Sequence, residues 1–128
     1  MAAIWKQIWS ISDTVTIIPD PVSAGYAFWL ARDPAITAKI TAHVSDEISA
    51  GRTLNDNLLM LVDRDSRKLC RVREFVDLAS AQNNVDWYTA NTETQVLDTA
   101  GNVIYSLISH EAVDNMDLAQ IQQKWPNI

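Results

Sequence analysis

One cysteine, Cys70, is present in 128 residues. No disulfide can close within the chain, which fits a reducing compartment. Glycine is as scarce: Gly25, Gly51 and Gly101 each stand alone. Isolated glycines exclude a glycine-rich phosphate loop and a dinucleotide fingerprint at the level of motif. The two histidines, His43 and His110, and Cys70 do not fall at zinc-ligand spacing. Asp63-x-Asp65 matches the first two ligand positions of a calcium loop, but Arg67 stands at the third and no glycine follows. The apolar run from Tyr26 to Ala31 is far too short to span a bilayer. Met1 to Lys6 lacks the basic and apolar segments of a secretory signal. Repeats, low-complexity tracts and Pro/Gly/Ser linkers are missing too. The expectation is a soluble cytoplasmic protein without metal, cofactor or membrane segment.

What is present is an ordinary globular composition, 48% hydrophobic and 20% charged. The length suits one domain over residues 1–128. The net charge is −6, which opposes nucleic acid and anionic membranes and favours cationic partners. That charge is uneven. Five of the ten basic residues (Arg64, Arg67, Lys68, Arg71 and Arg73) lie within 64–73 beside one acid, Asp65; the other five basic and fifteen acidic residues leave −10. Five tryptophans, Trp5, Trp9, Trp29, Trp87 and Trp125, are also many for this length.

Periodicity supplies the elements. Residues 4–11 fit two periods, since Ile4/Ile8 and Trp5/Trp9 are spaced as on a helix while Trp5, Trp9 and Ile11 share a strand parity. Thr14 to Ile18 reads as a strand ended by Pro19. Asp20-Pro21 and Asp33-Pro34 are N-cap signals for two helices, the second carrying Ile36, Ile40, Val44 and Ile48 as an apolar stripe and stopping at Gly51. On that helix Lys39, His43 and Glu47 read as a solvated line. Residues 54–62 are open to either reading. The turn chemistry of Asp63 to Ser66 favours a hairpin over 57–76. A second hairpin spans 94–107 around Gly101, and Val85 to Thr89 reads as a further strand. A short helix capped by Asp114 or Asn115 closes the chain before Pro126. The fold class is α+β: antiparallel hairpins forming a sheet, free to curve, covered by N-terminal amphipathic helices and a short C-terminal helix. A curved sheet of this kind, cone-shaped under its helices, would enclose a pocket.

Three groups of residues bear on function. On a strand over 67–75, Arg67, Leu69, Arg71, Arg73 and Phe75 share a face, and Lys68, Cys70, Val72 and Val76 share the other, taken as the core side. Arg67, Arg71 and Arg73 would then grip an acidic partner, or simply pair across strands with acids such as Glu93 or Asp63. Trp5, Trp9 and Tyr26 are candidate anchors of a partner or homodimer interface. Trp29, Asp86, Trp87 and Tyr88 are candidates for a pocket holding a small cationic or aromatic molecule by ring faces and a carboxylate. Catalytic residues are not assigned; His110, Asp86 and Glu93 are the nominal acid/base candidates. Cys70 reads as a buried small hydrophobe.

The resulting expectation is a small binding or interaction protein without catalysis, of the accessory, antitoxin or immunity type known in bacteria. Its acidic surface would suit a basic protein partner. The alternative is a pocketed small-molecule binder, and an enzyme using a His–carboxylate pair ranks below both.

Overall fold

The structure, a computed structural model, describes residues 2–128. The described residues form nine elements: β1 (Ala3–Ile11), α1 (Pro21–Ala31), α2 (Pro34–Ser49), β2 (Leu59–Asp63), β3 (Lys68–Phe75), α3 (Leu78–Asn91), β4 (Gln95–Leu97), β5 (Val103–Asp114) and α4 (Leu118–Lys124). The strands make one antiparallel sheet in the order β2-β3-β1-β5-β4. The sheet does not close into a barrel.

β1 is the central strand, and that settles its ambiguous periodicity. A spacing of four is one helical turn, but it is also an even number, so Ile4/Ile8 and Trp5/Trp9 keep to single faces of a strand. Both faces are covered. Trp5 and Trp9 point toward α1, α2 and α3, while Ile4 and Ile8 point toward α4. A bulge between Ile8 and Trp9 shifts the pairing with β5.

The two Asp-Pro signals act as expected. Asp20 accepts from the amides of Val22 and Ser23, and Asp33 from that of Ala35. Both hairpins form close to their expected limits. Three expectations change. Thr14 to Ile18 forms no strand: β1 already has β3 and β5 at its two edges, and Val15 and Ile17 instead pack on the cluster around Trp9 and Phe28. Val85 to Thr89 lies in helix α3. Asp77 caps it through the Ser80 amide, and Ala81, Val85 and Tyr88 bury one helical face. The C-terminal helix begins later than expected, capped by Asp117 in a reciprocal box with Gln120.

The core has two sides. Under α1–α3 lie Trp5, Trp9, Phe28, Ile40, Leu69, Phe75, Tyr88 and Tyr105; under α4 lie Ile4, Ile8, Cys70, Val72 and Ile121. Burial pushes the Cys70 thiol up to about 12, as for a packing residue. Among the described residues no helix is long and apolar enough to cross a membrane.

Candidate functional site

Residues of β3 alternate across the sheet, so Leu69, Arg71, Arg73 and Phe75 share the face beneath the helices. The core therefore occupies both faces of this strand, and the arginine face is not the solvent face expected from its charge. Arg71 is 3% exposed and Arg73 8%. The apolar residues bracketing them, Leu69 and Phe75, were the available sign that this face is buried.

Arg71 sits at the middle of the sheet among aromatic rings. Its guanidinium carbon lies 5.7 Å from the Trp5 ring centroid and 5.3 Å from that of Phe28. One of its nitrogens donates to Gln7 Oε1 at 3.0 Å, and among the described residues it forms no ion pair. Burial, with Arg32 and Arg73 nearby, lowers its pKa to about 10; Tyr88 and Glu93 act in the other direction. At neutral pH the group remains a cation. Arg73 donates to the Asp56 carbonyl, and burial lowers its pKa too. Arg32 is better matched: it is bound to Glu93 through two nitrogens and lies 5.1 Å from the Phe28 centroid.

Donors exceed acceptors here. Gln7 Oε1 takes both the Trp9 indole, at 3.1 Å, and Arg71, which fixes the orientation of the amide. Its Nε2 is then buried without an acceptor, as is one terminal nitrogen of Arg32. Natively buried donors are almost always paired, so this stretch of the sheet is short of negative charge.

Beside Arg71 the helices leave space. Two adjoining cavities of about 230 Å³ each share Trp29, Leu58 and Arg71. One extends along Val22, Tyr26, Phe28 and Met60; the other runs under Ile40, Thr41 and Val44 to Arg73 and Tyr88. Together they form a cleft with apolar and aromatic walls and a cationic floor, in the size range of small-molecule sites. Gly25 shapes one wall. A Cβ there would lie 1.7 Å from Met60 Sδ, so the bare helix backbone is what admits the Met60 side chain. A larger depression of about 500 Å³ lies between residues 13–17 and the 64–67 turn. Its Arg67 is already committed, with a left-handed φ of 52° and donations to the carbonyls of Ile11, Ser12 and Val15.

The other candidates disperse. Trp29 and Tyr88 line the cleft. Trp87 instead stacks on His43 with centroids 3.9 Å apart, and Asp86 is exposed and held by Gln82. The pocket thus has an arginine where a carboxylate was expected. Trp5 and Trp9 are buried in the core, which removes them as interface anchors, while Tyr26 is exposed. The proposed cross-strand partners do not meet Arg71: Glu93 binds Arg32, and Asp63 accepts from Ser66.

The nominal catalytic residues have separate partners. His110 Nε2 accepts from the Trp5 indole at 2.8 Å, so this nitrogen is unprotonated. Burial, then Arg71, lowers the pKa of His110. His43 is buried, not solvated, and its Nε2 lies 2.6 Å from Asn84 Oδ1. Its Nδ1 is 3.9 Å from Glu47, beyond hydrogen-bond reach, and Glu47 is bound by Arg52. Lys39 alone of that expected polar line, which included His43 and Glu47, is exposed. No group of three His, Cys, Asp or Glu among the described residues is placed to hold a metal.

Comparison with protein-family models, curated proteins and solved structures finds no match to this chain.

Proposed function

We propose that this is a non-catalytic binding protein that takes a small organic molecule into the cleft between α1, α2 and the sheet. The observation carrying this reading is the buried Arg71 guanidinium, which lines an apolar, aromatic-walled space and has no carboxylate partner among the described residues. Retaining an isolated charge in a protein interior costs stability. A ligand contact offsets that cost and gives the residue a use.

The reading predicts that a small molecule with an apolar body raises the melting temperature, because it binds the folded state alone. Scanning octyl and phenylpropyl compounds with varied head groups, with Trp fluorescence as a second readout, tests it. A set that shifts neither observable sinks the reading.

A second reading is favoured by the exposed face of α1, which borders the cleft. Val22, Tyr26 and Leu30 recur every four residues on α1 and are 68%, 62% and 63% exposed. An apolar stripe on an acidic protein suits a protein partner of the accessory, antitoxin or immunity type, or a second copy of the chain. Alanine at Leu30, which lines neither cavity, would weaken such an association without changing small-molecule binding.

A further inference from the structure

We infer that the molecule held in the cleft is an amphipathic carboxylate, its head group on Arg71 and its apolar body between Trp29, Leu58 and Tyr88. This rests on the small-molecule reading above and names the chemistry of the same site. Arg71 is nine-tenths buried and aimed into the space it lines. Its single acceptor among the described residues is an amide oxygen already shared with the Trp9 indole. A guanidinium has five N–H donors in a planar fork, so most of its capacity is open to a ligand. A carboxylate fits such a fork through two parallel charge-assisted bonds.

The surroundings exclude cationic and neutral head groups. Arg73 and Arg32 bring further positive charge toward Arg71, so an ammonium head meets like charge. A neutral hydroxyl leaves the buried cation uncompensated. The acids nearest this region are otherwise placed: Glu93 is bound to Arg32, and Asp56 is exposed and meets Arg73 through its carbonyl. One carboxylate on Arg71 therefore supplies the counter-charge that this guanidinium lacks among the described residues. The walls add no demand for a polar body, since Trp29, Leu58, Met60 and Val44 present apolar surface.

The test is calorimetric titration of the intact protein with six probes. Octanoate, octanol and octylamine form an aliphatic set; 3-phenylpropionate, 3-phenylpropanol and 3-phenylpropylamine form an aryl set. The carboxylate of one or both sets should bind at least about tenfold more tightly than its alcohol or amine, the worth of one charged hydrogen-bonded contact. The set that binds better separates a fatty-acid source from an aryl-acid source. In Arg71→Met the preference should vanish. Methionine leaves no charge to desolvate, so this variant should melt no lower than wild type. Should it fail to fold, Arg71→Lys keeps the charge but loses the fork, and should reduce the preference without removing it. An alcohol or amine that binds as tightly as its carboxylate overturns the assignment while leaving the cleft a ligand site, as does an unchanged preference in Arg71→Met. Failure of all six probes to bind overturns the small-molecule reading and the assignment together.

Discussion

Arg71 and His110 are linked through the Trp5 indole. Arg71 lies over its ring, and His110 accepts its N–H. Protonating His110 Nε2 would break that bond; burial of the ring, then the Arg71 charge, lowers its pKa. The sign of the pH dependence follows. The folded-state value lies below the ordinary value of 6.5, so between the two the unfolded chain binds more protons. His110 therefore contributes stability that is complete above 6.5 and is lost as pH falls through that window toward the folded value. Carboxylates held low by hydrogen bonds, such as Asp20, Asp63 and Asp98, lose their contribution only below the ordinary value of 3.8. The melting temperature should drop between about pH 7 and about pH 5. His110→Gln, whose amide oxygen still accepts from Trp5, should flatten the drop. An equally steep drop in that variant would assign the effect elsewhere.

At the scale of elements, the cleft depends on how closely α1 approaches β2. Gly25 has no Cβ, and Met60 occupies the place where one would be. Gly25→Ala forces the flexible Met60 side chain aside, toward the space it lines. The ligand-induced rise in melting temperature should shrink in Gly25→Ala and return in the double variant Gly25→Ala/Met60→Ala. An unchanged rise in the single variant would show that Met60 does not border the bound molecule. Alanine is the better helix former, so the helix itself gains from the change, by roughly 1 kcal/mol. Loss of ligand response then reads as steric closure and not as unfolding.

Elements were legible in the sequence where a local signal was decisive. Asp20-Pro21 and Asp33-Pro34 start their helices, and the turns at Asp63–Ser66 and Asp98–Asn102 close their hairpins. α3 was misread because Val85, Trp87 and Tyr88 are good strand formers. The stronger signal was nonlocal in a short window: Asp77 with Ser80 at its start, then Ala81, Val85 and Tyr88 at helical spacing. Thr14 to Ile18 shows the converse. Strand propensity is real there, but β3 and β5 take both edges of β1, and Val15 and Ile17 pack instead on the cluster around Trp9 and Phe28.

Over the whole molecule, the uneven charge has a different meaning from the one its clustering suggests. The basic run at 64–73 is not one surface patch. Arg64 is exposed, Arg67 ties the hairpin to residues 11–15, and Arg71 and Arg73 are inside. Lys6 and Arg32 are buried as well, paired with Glu111 and Glu93. The surface is therefore more acidic than the net charge of −6 conveys. Any attraction of an anion to Arg71 is strengthened within the cleft by the low dielectric there. Half of the candidate pocket was legible, Trp29 and Tyr88, because aromatics on several elements tend to converge. Its charge was not. Sequence shows that Arg71 shares a strand face with Leu69, Arg73 and Phe75, but that the helices over this face leave a cleft beside Arg71 is decided by packing across the domain.

The five indole N–H groups allow the central claim to be tested in one experiment. In proton–nitrogen correlation spectra, octanoate or 3-phenylpropionate should move the Trp29 indole and the Arg71 side-chain signal. The Trp125 indole, bonded to the Val62 carbonyl in the neighbourhood of α4, should stay in place. Saturable shifts confined to Trp29, Arg71 and their neighbours are the result predicted for a carboxylate seated in the cleft. Shifts that favour Trp125, or that leave Trp29 and Arg71 unmoved at saturating probe, would contradict it.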